Sequence, residues 1–233
     1  DVLRLSVIIP VINEANNLCQ LIPFLQKHGG DFLMDLIVVD GGSTDQSVQV
    51  ARSFGAQVYQ SEMPSRALQM NLGAKMARGN TLYFVHADTL PLPSFCEDIQ
   101  KARLKGFRAG CYRYRFDSPK IMLKINSWAT RFNGLFAGGG DQTLFISKRF
   151  FEELGGFDPH FCIMEDFDLI RRIKKKSPFH IIPKSITVSA RKYDHNTWLQ
   201  VQLANFLAFL AFRKGVDPMK IKAAYSRRLK VSA

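Results

Sequence analysis

The chain has 233 residues, 46% of them hydrophobic, and it carries 32 Lys and Arg against 20 Asp and Glu, which gives a net charge of +12. This length and apolar content suffice for one large domain and exclude a chain too polar to build a core. The positive charge indicates either an anionic partner, such as nucleic acid, anionic lipid or a diphosphate, or a solvated basic surface.

The first ninety residues alternate strands with helices. The β-branched run at residues 5–11 predicts a strand buried on both faces, and residues 18–25 follow at helical spacing. The pattern continues with a strand at 36–39, a helix that starts at a capping box at 43–46, a strand at 57–60, a helix at 66–77 and a strand at 81–85. Such alternation predicts βαβ units and a mostly parallel sheet.

Acidic residues follow three of these strands. Asn13 and Glu14 come after the first strand, Asp40 after the second, and Asp88 after the strand at 81–85. Ligands of open parallel sheets lie at the carboxyl ends of the strands, although each Asp alone is also a common turn former or helix cap. Together the two Asp residues favour a Mg²⁺ or Mn²⁺ site that bridges to a diphosphate. His86 is either a nitrogen ligand that favours Mn²⁺ or a structural residue.

Beyond residue 93 the alternation weakens. The pattern predicts a helix to about residue 105, a strand at 109–116, a helix at 121–132, a strand at 143–147, helices at 150–154 and 165–175, and an extended segment at 181–190. The glycine run at 138–140 lacks both the P-loop and the dinucleotide-binding spacing, so a flexible acceptor loop is the better interpretation.

Three carboxylates, Glu165, Asp166 and Asp168, fall within four positions at a predicted helix start. They suit the positive end of a helix dipole and ion pairs to the arginines one turn later. The apolar stretch at 161–164 also predicts that at least one carboxylate is shielded from water and able to act as a base.

Polar side chains at the start of another predicted helix, Arg66, Gln69 and Asn71, have two interpretations. They form an ordinary exposed face, or they present a guanidinium and amides to a phosphate or a base together with helix N-terminal N–H groups. Arg191, after the last extended segment, is either a phosphate contact or a solvated strand end.

Two motifs carry a family resemblance: SVIIP at 6–10 followed by Asn13-Glu14, and VVDGGSTD at 38–45. With them, about the first 195 residues resemble the family-two glycosyltransferases of the GT-A fold. The resemblance implies an α/β fold, with a single GT-A domain whose mostly parallel central sheet is flanked by helices. Shorter stretches at 66–71, 86–89, 140–142, 155–157 and 189–191 resemble a bacterial subgroup labelled arsenosugar-biosynthesis glycosyltransferases, a label that does not establish the acceptor.

The resemblance also implies roles for individual residues. Asp166 is the expected general base, with Glu165 beside it, and Asp88 is the expected metal ligand, with His86 where the family's Asp-x-Asp motif has its first Asp. The expected nucleotide-sugar-binding residues are Pro10, Glu14, Asp40, Gly42, Arg66, Gln69, Asn71, Asp141, Gln142 and Arg191. The Gln-x-x-Arg-Trp signature of processive relatives is absent from the sequence, which favours single transfers.

These observations predict an inverting glycosyltransferase that moves a sugar from a nucleotide-diphosphate donor, expected to be a UDP-sugar, to a hydroxyl acceptor with Mn²⁺ or Mg²⁺. The predicted GT-A domain is 1–195, with a nucleotide-binding half at about 1–90 and an acceptor half at 91–195. The alternatives are a nucleotidyltransferase acting on sugar phosphates and a basic nucleic-acid-binding module. No recognition helix or aromatic strand motif supports specific binding of nucleic acid.

Residues 196–233 form a predicted basic amphipathic helical extension. An aromatic and aliphatic stripe precedes a basic run, as in helices that lie on anionic membranes, while core packing with a solvated tail is the alternative. A lipid-linked acceptor would favour the membrane. The four scattered cysteines and the early Pro10, which interrupts the first apolar stretch, predict a cytoplasmic protein, peripheral at the inner face of the membrane if the extension binds lipid.

Overall fold

The computed structural model describes residues 2–117, 143–190, 193 and 195–229. Its described strands form one mixed sheet in the order β3-β2-β1-β4-β7-β6-β8-β5. The strands are β1 (Leu5–Val11), β2 (Leu33–Asp40), β3 (Gln57–Gln60), β4 (Thr81–Phe84), β5 (Thr89–Leu90), β6 (Ala109–Phe116), β7 (Leu144–Ser147) and β8 (Phe179–Val188).

Helices cover both faces of this sheet. They are α1 (Ala15–Gly29), α2 (Ser47–Ser53), α3 (Arg66–Met76), α4 (Phe95–Leu104), α5 (Lys148–Glu153), α6 (Glu165–Lys176), α7 (Trp198–Arg213) and α8 (Pro218–Arg228). The helix predicted at 121–132 and the glycine run at 138–140 lie outside the described residues.

The central strand β1 explains the continuous apolar run in the sequence. It pairs in parallel with β2 on one side and with β4 on the other. On one face of the sheet, Val7 and Ile9 pack into a core that is covered by helices α1 and α4. On the other face, Ile8 packs into a second core, which is covered by α3 and α6. Because side chains of a strand alternate between faces, a strand covered on both faces is apolar at almost every position.

The second half of the sheet mixes directions. Strand β7 runs antiparallel to both β4 and β6, whereas β6 and β8 are parallel. The prediction of a mostly parallel sheet flanked by helices is confirmed, but the antiparallel insertion of β7 and the two-residue strand β5 were not predicted.

The capping box predicted at residues 43–46 is wrong. Helix α2 begins at Ser47, and no side chain caps its N-terminus. The reason is that Ser43 is engaged elsewhere: its N–H donates to the Asp40 carboxylate at 3.2 Å and its Oγ accepts a hydrogen bond from the Asn13 N–H at 2.9 Å. Ser43 thus belongs to the loop between β2 and α2, which extends the carboxyl edge of the sheet.

The two C-terminal helices pack against each other and against the start of α6. Phe209 and Phe212 of α7 lie with ring centroids 5.6 Å and 5.7 Å from Phe167 and Phe161, respectively. Part of the predicted stripe is therefore core. Across the described parts of the chain, none of the helices combines the length and the apolar content needed to cross a bilayer.

Candidate functional site

Several of the predicted site residues meet at the carboxyl edge of β1, β2 and β4. In the parallel register Pro10 lies beside Val39, and Val11 lies beside Asp40. The Val85 N–H donates to the Ile8 carbonyl, which keeps the chain after β4 next to β1 as it approaches Asp88. Parallel strands thus bring Pro10 and Asp40 to one edge of the sheet, and the chain that leads to Asp88 leaves β4 at the same edge.

Two loops at this edge are joined by side chains. The Asn13 Oδ1 accepts hydrogen bonds from the N–H groups of Thr44 and Asp45 at 2.8 Å and 3.3 Å, and the Asp45 carboxylate accepts one from the Ala15 N–H at 3.1 Å. Asn13 has a φ of 55°, a left-handed conformation that Asn tolerates better than most residues. This joining role of Asn13 was not predicted, although its place directly after a strand was a usable signal.

Asp40 is held in a fixed orientation. Its side chain is buried, and it accepts hydrogen bonds from the Gly42 N–H at 3.1 Å and from the Ser43 N–H at 3.2 Å. Gly42 allows this turn with a φ of 101°, which favours glycine. A carboxylate offers about four acceptor positions, so Asp40 keeps capacity for a donor group of a ligand. Nearby, one Glu14 oxygen accepts a hydrogen bond from Asn17 at 2.6 Å.

Gln69 joins α3 to the ends of two strands. Its Nε2 donates to the carbonyls of Val11 and Val39 at 3.0 Å and 2.8 Å, and the residue is 3% exposed. Gly41 makes room for it, because a Cβ at that position would lie 2.9 Å from the Gln69 Nε2. The amide nitrogen is thus used within the fold, which supports a positioning role rather than the predicted contact with the nucleotide. It places the first turn of α3, with Arg66, over the site.

Asn71 has a similar structural use. Its Nδ2 donates to the Phe157 carbonyl at 2.8 Å, and its Oδ1 accepts from the Phe157 N–H at 2.9 Å. The Phe157 ring packs edge-on against Phe84, at the end of β4, with centroids 5.2 Å apart. The segment before α6 is therefore fixed to both α3 and β4, and the predicted nucleotide contact of Asn71 is not supported by this geometry.

We expect Asn71→Ala to lower the free energy of unfolding by about 1–3 kcal/mol, because it leaves the Phe157 N–H and carbonyl without their partners. Affinity for the donor nucleotide, measured by calorimetry below the melting temperature, should stay within a few-fold. Lys75→Ala, at an exposed position of the same helix, is the matched control for chemical denaturation. A large loss of donor affinity with unchanged stability would instead restore Asn71 as a ligand contact.

This arrangement brings Arg66 next to Glu165. The Arg66 Nη1 lies 3.5 Å from the Glu165 Oε1, and the Arg66 side chain is half-exposed whereas that of Glu165 is 6% exposed. Glu165 is thus one of two shielded carboxylates at this helix start, with Asp168, and it is paired with Arg66. Its partner keeps an exposed guanidinium surface at the edge of the sheet that can meet an anion.

The three acids at the start of α6 have separate positions. Asp168 is buried and accepts hydrogen bonds from Arg171 and Arg172, each at 2.8 Å. Arg172 also donates to the carbonyls of Leu154 and Gly156 at 2.8 Å, so this pair fastens α6 to the preceding turn. Asp166 is half-buried in the first turn of the helix. Of the three, Asp166 is the most exposed to solvent, since Glu165 and Asp168 are buried.

His86 and Asp88 lie in one turn after β4, closed by a hydrogen bond from the Thr89 N–H to the His86 carbonyl at 3.0 Å. Burial and, to a smaller extent, the nearby charge of Arg66 lower the pKa of His86 to about 3, so the imidazole is neutral near pH 7. The Asp88 carbonyl accepts a hydrogen bond from the Ser189 N–H at 3.1 Å, which ties this turn to the end of β8.

A divalent metal fits this turn only with help from a ligand. Within 2–117, 143–190, 193 and 195–229 no group of three or more His, Cys, Asp and Glu residues is arranged to hold a metal ion. Mg²⁺ and related ions are commonly held by one or two carboxylates together with substrate phosphates. A neutral imidazole as an additional ligand favours Mn²⁺ over Mg²⁺. Asp88, with His86 beside it, therefore fits a metal that a diphosphate also coordinates. Asp141, Gln142 and Arg191, the remaining predicted site residues, lie outside the described residues.

A curated relative gives the first comparison with known proteins. An uncharacterized glycosyltransferase of Rickettsia felis is 25% identical over 232 residues, which covers 87% of this chain and 38% of that protein. The chain thus spans less than half the length of this relative.

Solved structures share the fold at low identity. Glucosyl-3-phosphoglycerate synthase of Mycobacterium tuberculosis, in complex with Mn²⁺, UDP and glucosyl-3-phosphoglycerate, matches with a TM-score of 0.64 and 20% identity over 91% of this chain and 80% of that one. A mannosyltransferase of Pyrobaculum calidifontis, in complex with GDP-Man and Mn²⁺, matches with a TM-score of 0.70 and 17% identity over 97% of this chain and 69% of that one. These likenesses show a GT-A-like glycosyltransferase fold.

The model of the family described as glycosyl transferase family 2 matches residues 6–172. That span contains the joined loops after β1 and β2, the turn with Asp88, and the acids of α6. The chain therefore belongs to glycosyl transferase family 2.

Proposed function

We propose that this glycosyltransferase transfers one sugar at a time, with inversion, from a nucleotide-diphosphate sugar to a hydroxyl group. The observation that carries the proposal is the meeting of α3 and α6, through Arg66 and Glu165, beside the strand ends that hold Asp40 and Asp88. Carboxylates for a nucleoside, a metal and a proton, together with a guanidinium for phosphate, thus come from distant parts of the chain to one edge of the sheet.

In the proposed complex the nucleoside lies over the joined loops. Pro10, Glu14 and Asp40 contact it, and the hydrogen bonds from Gly42 and Ser43 hold the Asp40 carboxylate toward a hydroxyl or N–H group of the ligand. Because these loops are already fixed to each other, little ordering accompanies binding, which favours affinity.

Arg66 contacts the diphosphate in this proposal. Its pairing with the shielded Glu165 limits the directions that the guanidinium can take, and the positive N-terminal end of α3 adds to the favourable field. Asp88, with His86, holds a divalent cation against the same diphosphate. That cation supplies charge stabilisation to the departing nucleoside diphosphate. Mn²⁺ is preferred here because metal-bound relatives of this fold contain it, and Mg²⁺ is the alternative.

Asp166 accepts the proton of the attacking hydroxyl. Attack in line with the departing diphosphate inverts the anomeric carbon, and a base on the acceptor side is the only proton acceptor that such a step requires. Asp168, the neighbouring acid, is unsuited to this task because two arginines engage it.

The donor is proposed to be a UDP-sugar, with a GDP-sugar as the competing assignment, since solved relatives hold UDP or GDP-Man. Family membership favours glycosyl transfer over the nucleotidyltransferase and nucleic-acid alternatives. The assignment to the arsenosugar subgroup, the division into 1–195 and 196–233, the cytoplasmic location and a lipid-linked acceptor are further parts of this proposal.

The test is a thermal-shift panel of UDP-, GDP-, dTDP- and CMP-sugars with Mn²⁺, Mg²⁺ or chelator. A ligand present at 100 times its Kd adds about 2.7 kcal/mol to stability, so the true donor should raise the melting temperature by several degrees only when metal is present. Release of nucleoside diphosphate, and not of inorganic diphosphate, then identifies glycosyl transfer. A panel without any metal-dependent shift would contradict the proposal.

A further inference from the structure

Helix α7 is apolar on two opposite faces, but only one of them is covered. Its sequence, WLQVQLANFLAFLAFR, contains no acidic residue and only one cation, at its end. The inner face packs through Val201, Ala204, Ala208 and Phe212 against the aromatic residues around the start of α6 and against α8. A helix that is apolar all round is ordinarily buried all round.

The outer face carries three large apolar side chains in contact with solvent. Leu199, Leu203 and Phe206 are 71%, 55% and 50% exposed. At 100° per residue, positions 199, 203 and 206 fall within a sector of about 60°, roughly opposite the packed face. They form one continuous strip, which we call the α7 strip. Scattered exposed apolar residues are normal, but an aligned strip of this size marks a contact surface.

Positive charge surrounds the carboxyl end of the α7 strip. Arg213 and Lys214 follow it directly and are exposed. Arg213 falls about 40° from Leu199 on the helical wheel, so it continues the strip rather than facing away. Further exposed cations lie on α8, namely Lys220, Lys222, Arg227 and Arg228.

Negative charge is almost absent from the same region. Asp217 is the only acid within 198–228, and its carboxylate caps α8 by accepting hydrogen bonds from the N–H groups of Met219 and Lys220 at 2.9 Å and 3.2 Å. Its charge therefore offsets the dipole of α8 and does little to neutralise the cations. The surface as a whole is apolar along one line and positive at one end.

We infer that the α7 strip docks on an anionic lipid surface, with Leu199, Leu203 and Phe206 inserted at the level of the headgroups and with Arg213 and Lys214, at the end of the strip, against lipid phosphates. This pairing of chemistry is what distinguishes a bilayer from an apolar protein groove: lipid supplies hydrocarbon and negative charge side by side. The binding is peripheral, as the length of α7 requires. The inference does not depend on the proposed catalytic roles.

Docking would fix the position of the catalytic motif relative to the membrane. The inner face of α7 contacts Phe167 and Phe161, which flank Glu165 and Asp166 in the sequence, and Arg171 lies 5.2 Å from the Phe212 ring centroid. One helix thickness, about 10 Å, thus separates the lipid surface from the start of α6.

The test is flotation of the full chain with vesicles of phosphatidylcholine alone or with added phosphatidylglycerol. We expect flotation only with the anionic vesicles, and its loss at about 1 M salt, where the Debye length is near 3 Å. The triple variant Leu199→Gln, Leu203→Gln, Phe206→Gln should weaken partitioning by ~100-fold or more, since each residue loses most of its apolar burial. Leu104→Gln, which is 69% exposed at the end of α4, is the matched control and should float as the unmodified chain does.

A second pair of variants separates charge from apolar contact. Arg213→Gln with Lys214→Gln should weaken partitioning roughly tenfold or more, while Lys27→Gln with Arg52→Gln, at exposed positions of α1 and α2, should not change it. Circular dichroism of each variant verifies the fold. No flotation, or equal flotation of the triple variant, would overturn the inference. So would a dimer of the unmodified chain that the triple variant dissociates without any vesicle binding, because the α7 strip would then contact a second copy.

Discussion

Asp166→Asn should lower kcat by ~10²–10⁴-fold while the Kd of the nucleotide-sugar donor changes by no more than a few-fold. The amide has nearly the shape of the carboxylate but cannot take a proton from an acceptor hydroxyl, and general base catalysis contributes about that much. Asp166 is half-buried in the first turn of α6 and its neighbour Asp168 anchors the helix, so the fold should persist. Single-turnover kinetics with calorimetric donor titration measures both quantities.

Glu152→Gln, at an exposed position of α5, is the charge-matched control and should retain full activity. A variant that keeps a near-normal kcat would remove Asp166 from the role of base and leave the proton acceptor to be sought in the acceptor-binding part of the chain.

Asp88→Ala should reduce kcat/KM by at least ~100-fold and should make donor binding indifferent to Mn²⁺. The chain offers few metal ligands among its described residues, so loss of one carboxylate removes a large share of what it contributes to the ion. In the unmodified enzyme a chelator should abolish activity and added Mn²⁺ should restore it. Donor titrations with and without metal, for both proteins, measure the effect.

The control for Asp88 is Asp31→Ala, an exposed acid at the opposite, amino end of β2. It should behave as the unmodified enzyme in both titrations. Activity that resists chelator in the unmodified enzyme would refute the metal assignment while leaving the proposed base untouched. The metal assignment of Asp88 and the base assignment of Asp166 can therefore be contradicted separately.

The sequence predicted the nucleotide-binding half of the fold well because local signals and tertiary structure agree there. The β-branched run of β1 was assigned to a strand covered on both faces, and it lies in the middle of the sheet with helices on both sides. Asp40 and Asp88 follow strands in the sequence, and parallel strands necessarily end at one edge. The topology therefore supports the proposed grouping of these residues at one edge of the sheet.

The partners of polar side chains could not be predicted in the same way. Gln69 and Asn71 bind backbone groups 30 to 86 positions away along the chain, and helical spacing carries no information about such partners. The position of the antiparallel strand β7 between β4 and β6 was missed for the same reason, since a short run of three apolar residues indicates a strand but not its neighbours. Likewise, nothing local reveals that Asp168 is buried and bound by two arginines whereas Asp166 is half-buried.

The junction of α3 with the strand ends also bears on how this enzyme could change its donor. Gly41 and Gln69 leave no spare volume, and the loops after β1 and β2 are held together by hydrogen bonds to backbone atoms. A substitution of Gly41 or Gln69 would disturb the hydrogen bonds and packing of both strand ends before it altered a group that is proposed to contact the nucleotide. We therefore expect changes of donor preference to arise at Arg66 and its neighbours. The loops proposed to lie beneath the nucleotide should change only together.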